Sequence, residues 1–146
     1  MEFSLDEIVA ATGGKLVRDD GPGDRPLRIV TDSRDVTSDC LYWALHGDTH
    51  DGHSFVESAI DNGAVACVVS SAWSNQAGVA FCGTVVEVDN PLQALADLAA
   101  WNRSRWPVHV IGVTGSFGKT TTREMLHAVL SQKFESLRSS KNFNNQ

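Results

Sequence analysis

A chain of 146 residues with 42% hydrophobic and 21% charged residues has the composition of an ordinary folded protein, which excludes disorder as a description of the whole. A formal net charge of -6 speaks against nucleic acid or an anionic membrane as partner, since either calls for a basic face. No apolar run approaches the roughly 20 residues that cross a bilayer. The acidic start Met1-Glu2-Phe3-Ser4-Leu5-Asp6-Glu7 is no signal peptide, and Cys40, Cys67 and Cys82, with no CxxC among them, fit a reducing cytoplasm better than a disulfide framework.

Along the chain, Ser4-Leu5-Asp6-Glu7 reads as a capping box that opens a helix ending at Gly13-Gly14. Asp19 to Pro26 is a Gly-, Pro- and Asp-rich loop. Arg28 to Thr31 and Leu41 to Leu45 are expected strands, joined through the polar turn Asp32-Ser33-Arg34-Asp35. A second polar loop, Asp48 to His53, leads to a helix capped by Ser54 and Glu57, with Phe55, Val56, Ala59 and Ile60 as its apolar stripe. Ala64 to Val69 has the unbroken apolarity of a strand buried on both faces, and Thr84 to Val88 is a further strand. Asn90-Pro91 caps and starts a helix that Pro107 ends. Val108 to Val113 is then expected as a buried strand, Thr120 to Ser131 as a helix, and Phe134 to Leu137 as one more strand. Alternation of strands and helices gives an α/β class. The expected division is a small α/β unit over 1–88 and the opening of a mostly parallel, nucleotide-binding domain over 89–146. A lone βα unit cannot cover both faces of a parallel sheet, so the second domain is expected to be incomplete.

The segment from Val108 to Thr122 carries the clearest chemistry. Gly115 and Gly118 let backbone amides approach an anion. The following helix N-terminus adds partial positive charge, Lys119 adds a full one, and the Thr120 hydroxyl is suited to Mg²⁺. The strict phosphate-loop pattern wants glycine at Val113, whereas here the glycine falls one residue earlier, at Gly112. Gly115, Ser116, Phe117, Gly118, Lys119, Thr120 and Thr121 are therefore the expected ATP-binding residues, with Lys119 the catalytic charge.

Thr-Gly-x-x-Gly-Lys-Thr-Thr-Thr at Thr114 to Thr122, with its displaced glycine, resembles the ATP loop of the Mur ligases, cytoplasmic enzymes that build the peptide stem of bacterial peptidoglycan. Thr31-Asp32-Ser33-Arg34-Asp35-Val36 is similar to the family's D-S-R-x-V turn, and Leu45 to Phe55 to its L-x-G-x-x-x-D-G-H-x-F loop. Asn142-Phe143-Asn144-Asn145-Gln146 is similar to the N-x-N-N segment of the branch that adds D-alanyl-D-alanine.

The resemblance implies an ATP- and Mg²⁺-dependent amide ligase in which the substrate carboxylate becomes an acyl phosphate and an amine then displaces phosphate. Its substrates would be UDP-N-acetylmuramoyl-tripeptide and D-alanyl-D-alanine, and the protein is expected to be a cytoplasmic monomer. Asp32, Ser33 and Arg34 would lie by the uridine diphosphate, Gly47, Asp51, Gly52 and His53 would shape that pocket, and Asn144 and Asn145 would reach toward the reacting end. The resemblance covers only the front of a three-domain enzyme, so these residues alone are expected to have no ligase activity.

Plainer readings stand beside these. Asp32 and Arg34 also fit a turn-stabilising pair, and Asp51-Gly52 a turn before a helix. His46, His50, His53 and Cys40 match no standard zinc spacing. The branch adding the third stem residue, a non-catalytic UDP-sugar module, and a small kinase or GTPase are the competing functions.

Overall fold

The computed structural model describes residues 2–19, 23–47, 50–77 and 83–139. The chain divides into two compact units, Met1–Trp106 and Pro107–Gln146.

The first unit is a six-stranded sheet in the order β1-β3-β4-β5-β6-β2, flanked by helices. Strands β3 (Leu27–Val30), β4 (Cys40–Trp43), β5 (Ala64–Ser70) and β6 (Thr84–Val88) run parallel, and β1 (Glu2–Phe3) and β2 (Lys15–Arg18) close the two edges antiparallel. The alternation of side chains along a strand splits the core in two. Leu41, Trp43, Val68 and Val86 face one side, under Leu5 and Ile8 of α1 (Leu5–Thr12) and Ala94 and Leu98 of α4 (Pro91–Ser104). Tyr42, Ala44, Cys67, Val69 and Val85 face the other, under Val56 and Ala59 of α2 (Val56–Asp61).

The expected strands and helices of this unit form with small shifts at their ends. The Ser4–Glu7 capping box is present in both directions, at 3.0 and 3.2 Å, and Gly13 closes α1 in the left-handed region. Asn90 Oδ1 accepts from the amides of Leu92 and Gln93. Three elements escape the sequence pattern: the short edges β1 and β2, and α3 (Ser71–Ala77). The unit also runs past Val88. Helix α4 packs on α1, and Trp43 Nε1 donates to Pro91 O at 2.9 Å, so the contact boundary lies at Trp106 rather than at Val88.

One expected cap is replaced. Ser54 does not cap a helix; Asp51 caps a 3₁₀ turn over Gly52–Phe55, which passes directly into α2. Helix entry thereby moves upstream of Ser54, and Phe55 points outward at the surface while His53 is buried.

In the second unit, α5 (Lys119–Leu130) forms as expected, but neither expected strand does. Val108, Val110 and Ile111 are exposed, and Leu137 is wholly so. Apolarity alone makes no strand: a parallel strand needs neighbours to take its amides and carbonyls, and the described residues of this unit contain none.

Candidate functional site

Parallel strands place their following loops along one edge of the sheet, where open α/β folds bind ligands. In the first unit that edge carries the Asp32–Arg34 turn after β3, the Gly47–His53 loop after β4, Ser70 at the end of β5, and Asp89 and Asn90 after β6.

The Asp32–Arg34 turn is held mostly by itself. Asp32 Oδ1 accepts the Arg34 amide at 3.0 Å, and Arg34 Nη2 meets Asp32 Oδ2 at 2.6 Å. The Arg34 side-chain hydrogen bond holds the Asp32 carboxyl down at about 2. Ser33 is tied to α2 through its carbonyl, which accepts from Asn62 Nδ2 at 3.4 Å. Both charges of the turn are thus engaged with each other, the turn-stabilising arrangement.

The loop after β4 is built more tightly. Gly47 N donates to His50 O at 2.9 Å and Gly52 N to Leu45 O at 2.8 Å. Tyr42 Oη donates to Gly52 O at 2.9 Å. A Cβ on Gly52 would lie 2.6 Å from Leu45 O and 2.7 Å from Leu45 N, so only glycine allows this approach of backbone to backbone. Asp51 Oδ1 accepts from both the amide and the ring Nδ1 of His53, at 3.0 and 2.6 Å. Partial burial opposes ionisation of Asp51, but the backbone and side-chain hydrogen bonds from His53 outweigh it and hold the carboxyl below its usual range.

His53 has a side chain only 5% exposed. Its Nε2 accepts the Ser70 amide at 3.0 Å. A backbone amide can only donate, so Nε2 is unprotonated and the ring proton sits on Nδ1, facing Asp51. His53 therefore presents neither ring nitrogen to solvent. Its ring lies 5.5 Å from that of Trp73, whose amide donates to Ser70 Oγ at 3.3 Å.

These groups border a cleft of about 350 Å³ whose walls include Asp51, His53, Ser70, Trp73, Asp89 and Asn90. Ser33 and Arg34 are not among its lining residues. Ser70, Trp73 and Asn90 were missed by sequence reasoning as site residues. The cap signal of Asn90 was present, but nothing in the sequence says that the ends of β5 and β6 converge on the β4 loop.

In the second unit the loop from Gly115 to Thr121 leads into α5. Gly115 and Gly118 have φ of 147° and 76°, values open to glycine and costly for other residues. The first amides of α5 have no intrahelical acceptor, and Gly118 before them supplies no side-chain cap. Lys119 Nζ folds back onto Gly115 O and closes the loop on itself. Phe117 is 96% exposed at the tip. Thr120 and Thr121 stand in the first turn, both exposed. Free amides, a lysine and hydroxyls gathered at a helix N-terminus form an anion cradle. Asn144 and Asn145 lie outside the described residues.

With an α/β unit whose loops meet at one sheet edge, and a phosphate-type loop later in the sequence, the comparisons with known proteins converge. Residues 28–103 match the model for the Mur ligase family, catalytic domain. The chain belongs to the Mur ligase family.

Within it, the chain is 37% identical over 153 residues to the UDP-N-acetylmuramoyl-tripeptide–D-alanyl-D-alanine ligase of Treponema pallidum (strain Nichols), covering 100% of this chain and 33% of that relative. Among solved structures, MurF from Acinetobacter baumannii superposes with a TM-score of 0.79 at 31% identity, over 91% of this chain and 28% of that one. The MurF ligase of Thermotoga maritima in complex with ADP gives a TM-score of 0.69 at 31% identity, over 81% of this chain and 26% of that one. The chain thus spans about a third of the length of the curated relative it matches along its whole extent.

Proposed function

We propose that this chain carries the UDP-substrate unit and the ATP phosphate loop of a ligase that joins D-alanyl-D-alanine to UDP-N-acetylmuramoyl-tripeptide in the cytoplasm. The observation that carries the reading is the Gly115–Thr121 cradle in a chain 37% identical to a ligase of that name. No helix among the described residues is long and apolar enough to cross a membrane.

Each residue then has a task. Loop amides and Lys119 hold the β- and γ-phosphates; for that, Lys119 Nζ exchanges the Gly115 carbonyl for phosphate oxygens. A nucleotide and a substrate carboxylate repel each other, and fixed positive charge between them offsets that repulsion and steadies the phosphoryl group in transfer. Mg²⁺ fits the hydroxyl-rich start of α5, because it takes hard oxygen ligands and draws several from phosphate and water. Thr120 would hold the ion together with oxygens of the nucleotide. When bound, Mg²⁺ supplies charge neutralisation at the transferring phosphate. In the first unit, the edge bearing Asp32–Arg34 and Gly47–His53 receives the UDP portion.

Equilibrium titration with UDP-N-acetylmuramoyl-tripeptide and with the corresponding UDP-N-acetylmuramoyl-dipeptide tests the assignment. Tighter binding of the tripeptide form is expected. Preference for the dipeptide form would assign the chain to the branch adding the third residue, and binding of neither would remove the UDP-substrate role.

A further inference from the structure

The strongest unexplained feature is a buried histidine with both ring nitrogens spent on the walls of one cleft. His53 Nδ1 donates to Asp51 Oδ1, and Nε2 accepts from the Ser70 amide. Asp51 belongs to the loop after β4, while Ser70 ends β5 and its hydroxyl accepts the amide of Trp73 in α3. One imidazole thus joins two separate segments and both walls of the cleft they border.

The consequence for Asp51 is specific. Its Oδ1 is occupied twice by His53, while among the described residues Oδ2 has only the exposed His46 ring as a distant neighbour, at 3.6 Å. The Asp51 side chain remains 42% exposed. A carboxylate fixed through one oxygen presents the other as an acceptor. Such an acceptor suits a hydroxyl or an imide N–H and repels a phosphate, and a uridine diphosphate sugar carries all three groups.

We infer that His53 is a positioning residue: it aims Asp51 Oδ2 into the cleft as an acceptor for a hydroxyl or imide N–H of the uridine portion of the substrate. The assignment rests on the proposed UDP-substrate reading. It differs from a direct substrate contact by His53, which has no free ring nitrogen to offer. It also differs from simple core packing, because packing does not require that the two ring nitrogens be used differently.

Two substitutions separate the two ring bonds. His53→Asn keeps a donor near the place of Nδ1, facing Asp51, and gives up Ser70. His53→Gln keeps an acceptor near the place of Nε2, facing Ser70, and gives up Asp51. Each removes the ring and one hydrogen bond, so a purely structural role predicts similar effects of both. The inference predicts that His53→Asn binds UDP-N-acetylmuramoyl-tripeptide within a few-fold of wild type. His53→Gln should lose on the order of tenfold, the worth of about one hydrogen bond. ATP affinity should be unchanged in both. Equal losses, or none, overturn the positioning role. Wild-type protein that binds no UDP ligand speaks against the substrate reading instead. The ring is then read directly by ¹⁵N NMR of the free protein, where a proton on Nδ1 with Nε2 accepting supports the geometry and a proton on Nε2 overturns it.

Discussion

The two units answer the same kind of sequence in opposite ways. In the first, apolar runs such as Ala64 to Val69 become strands with parallel neighbours on both sides, and Trp43, Val68 and Val86 are fully buried. In the second, Val108 to Val113 is also rich in apolar residues yet forms no strand, and no residue of α5 is buried. An apolar run is a request for partners. Whether it becomes a strand depends on what else the chain brings beside it.

That contrast can be broken most sharply at the large aromatics. Trp43→Ala should destabilise the first unit by about 3–5 kcal/mol, through lost burial and the lost bond to Pro91 O. Phe117→Ala, at the exposed tip of the phosphate loop, should shift urea unfolding by no more than about 0.5 kcal/mol. Comparable losses from both would mean that the second unit has a core of its own.

Glycines sharpen the comparison at the next level. Gly52→Ala drives a Cβ into the Leu45 backbone and should cost about 1–3 kcal/mol or more, since no flexible side chain is there to yield. At Gly112 a Cβ meets nothing within 4 Å, and the same substitution should be close to neutral in stability. Thermal unfolding of the two variants side by side checks this.

The smallest effect belongs to the Asp32–Arg34 turn. The folded-state carboxyl is lowered from 3.8 to about 2, so its stabilisation is complete above the unfolded value and is lost as pH falls through the folded one. Asp32→Asn should flatten the acid limb of the stability curve in that window and change neutral stability little, because the pair is solvent-exposed. An acid-titration of unfolding in wild type and variant reads the difference.

Much of the first unit was legible from local signals. Apolar runs marked β5 and β6, and side-chain caps marked α1 and α4. Strands β1 and β2 were not legible, because two and four residues carry too little pattern and are made strands by the edges they pair with. Helix α3 was missed because Ser, Asn and Gln dilute its apolar face. The motif residues Asp51, Gly52 and His53 were visible, but not the division of labour among them: a cap, a close backbone approach and a buried relay. The convergence of Ser70, Trp73 and Asn90 on their cleft is a product of strand order, which no local pattern encodes.

The central claim is that the Gly115–Thr121 loop grips nucleotide phosphate, with Lys119 supplying the charge. Calorimetric titration of the protein with ATP and Mg²⁺, beside Lys119→Ala, tests it most directly. Saturable binding is expected in wild type and at least about tenfold weaker binding in the variant, for the loss of a charge-assisted contact. The unfolding curve of the first unit should not change. Binding that is absent, or that survives Lys119→Ala undiminished, would contradict it.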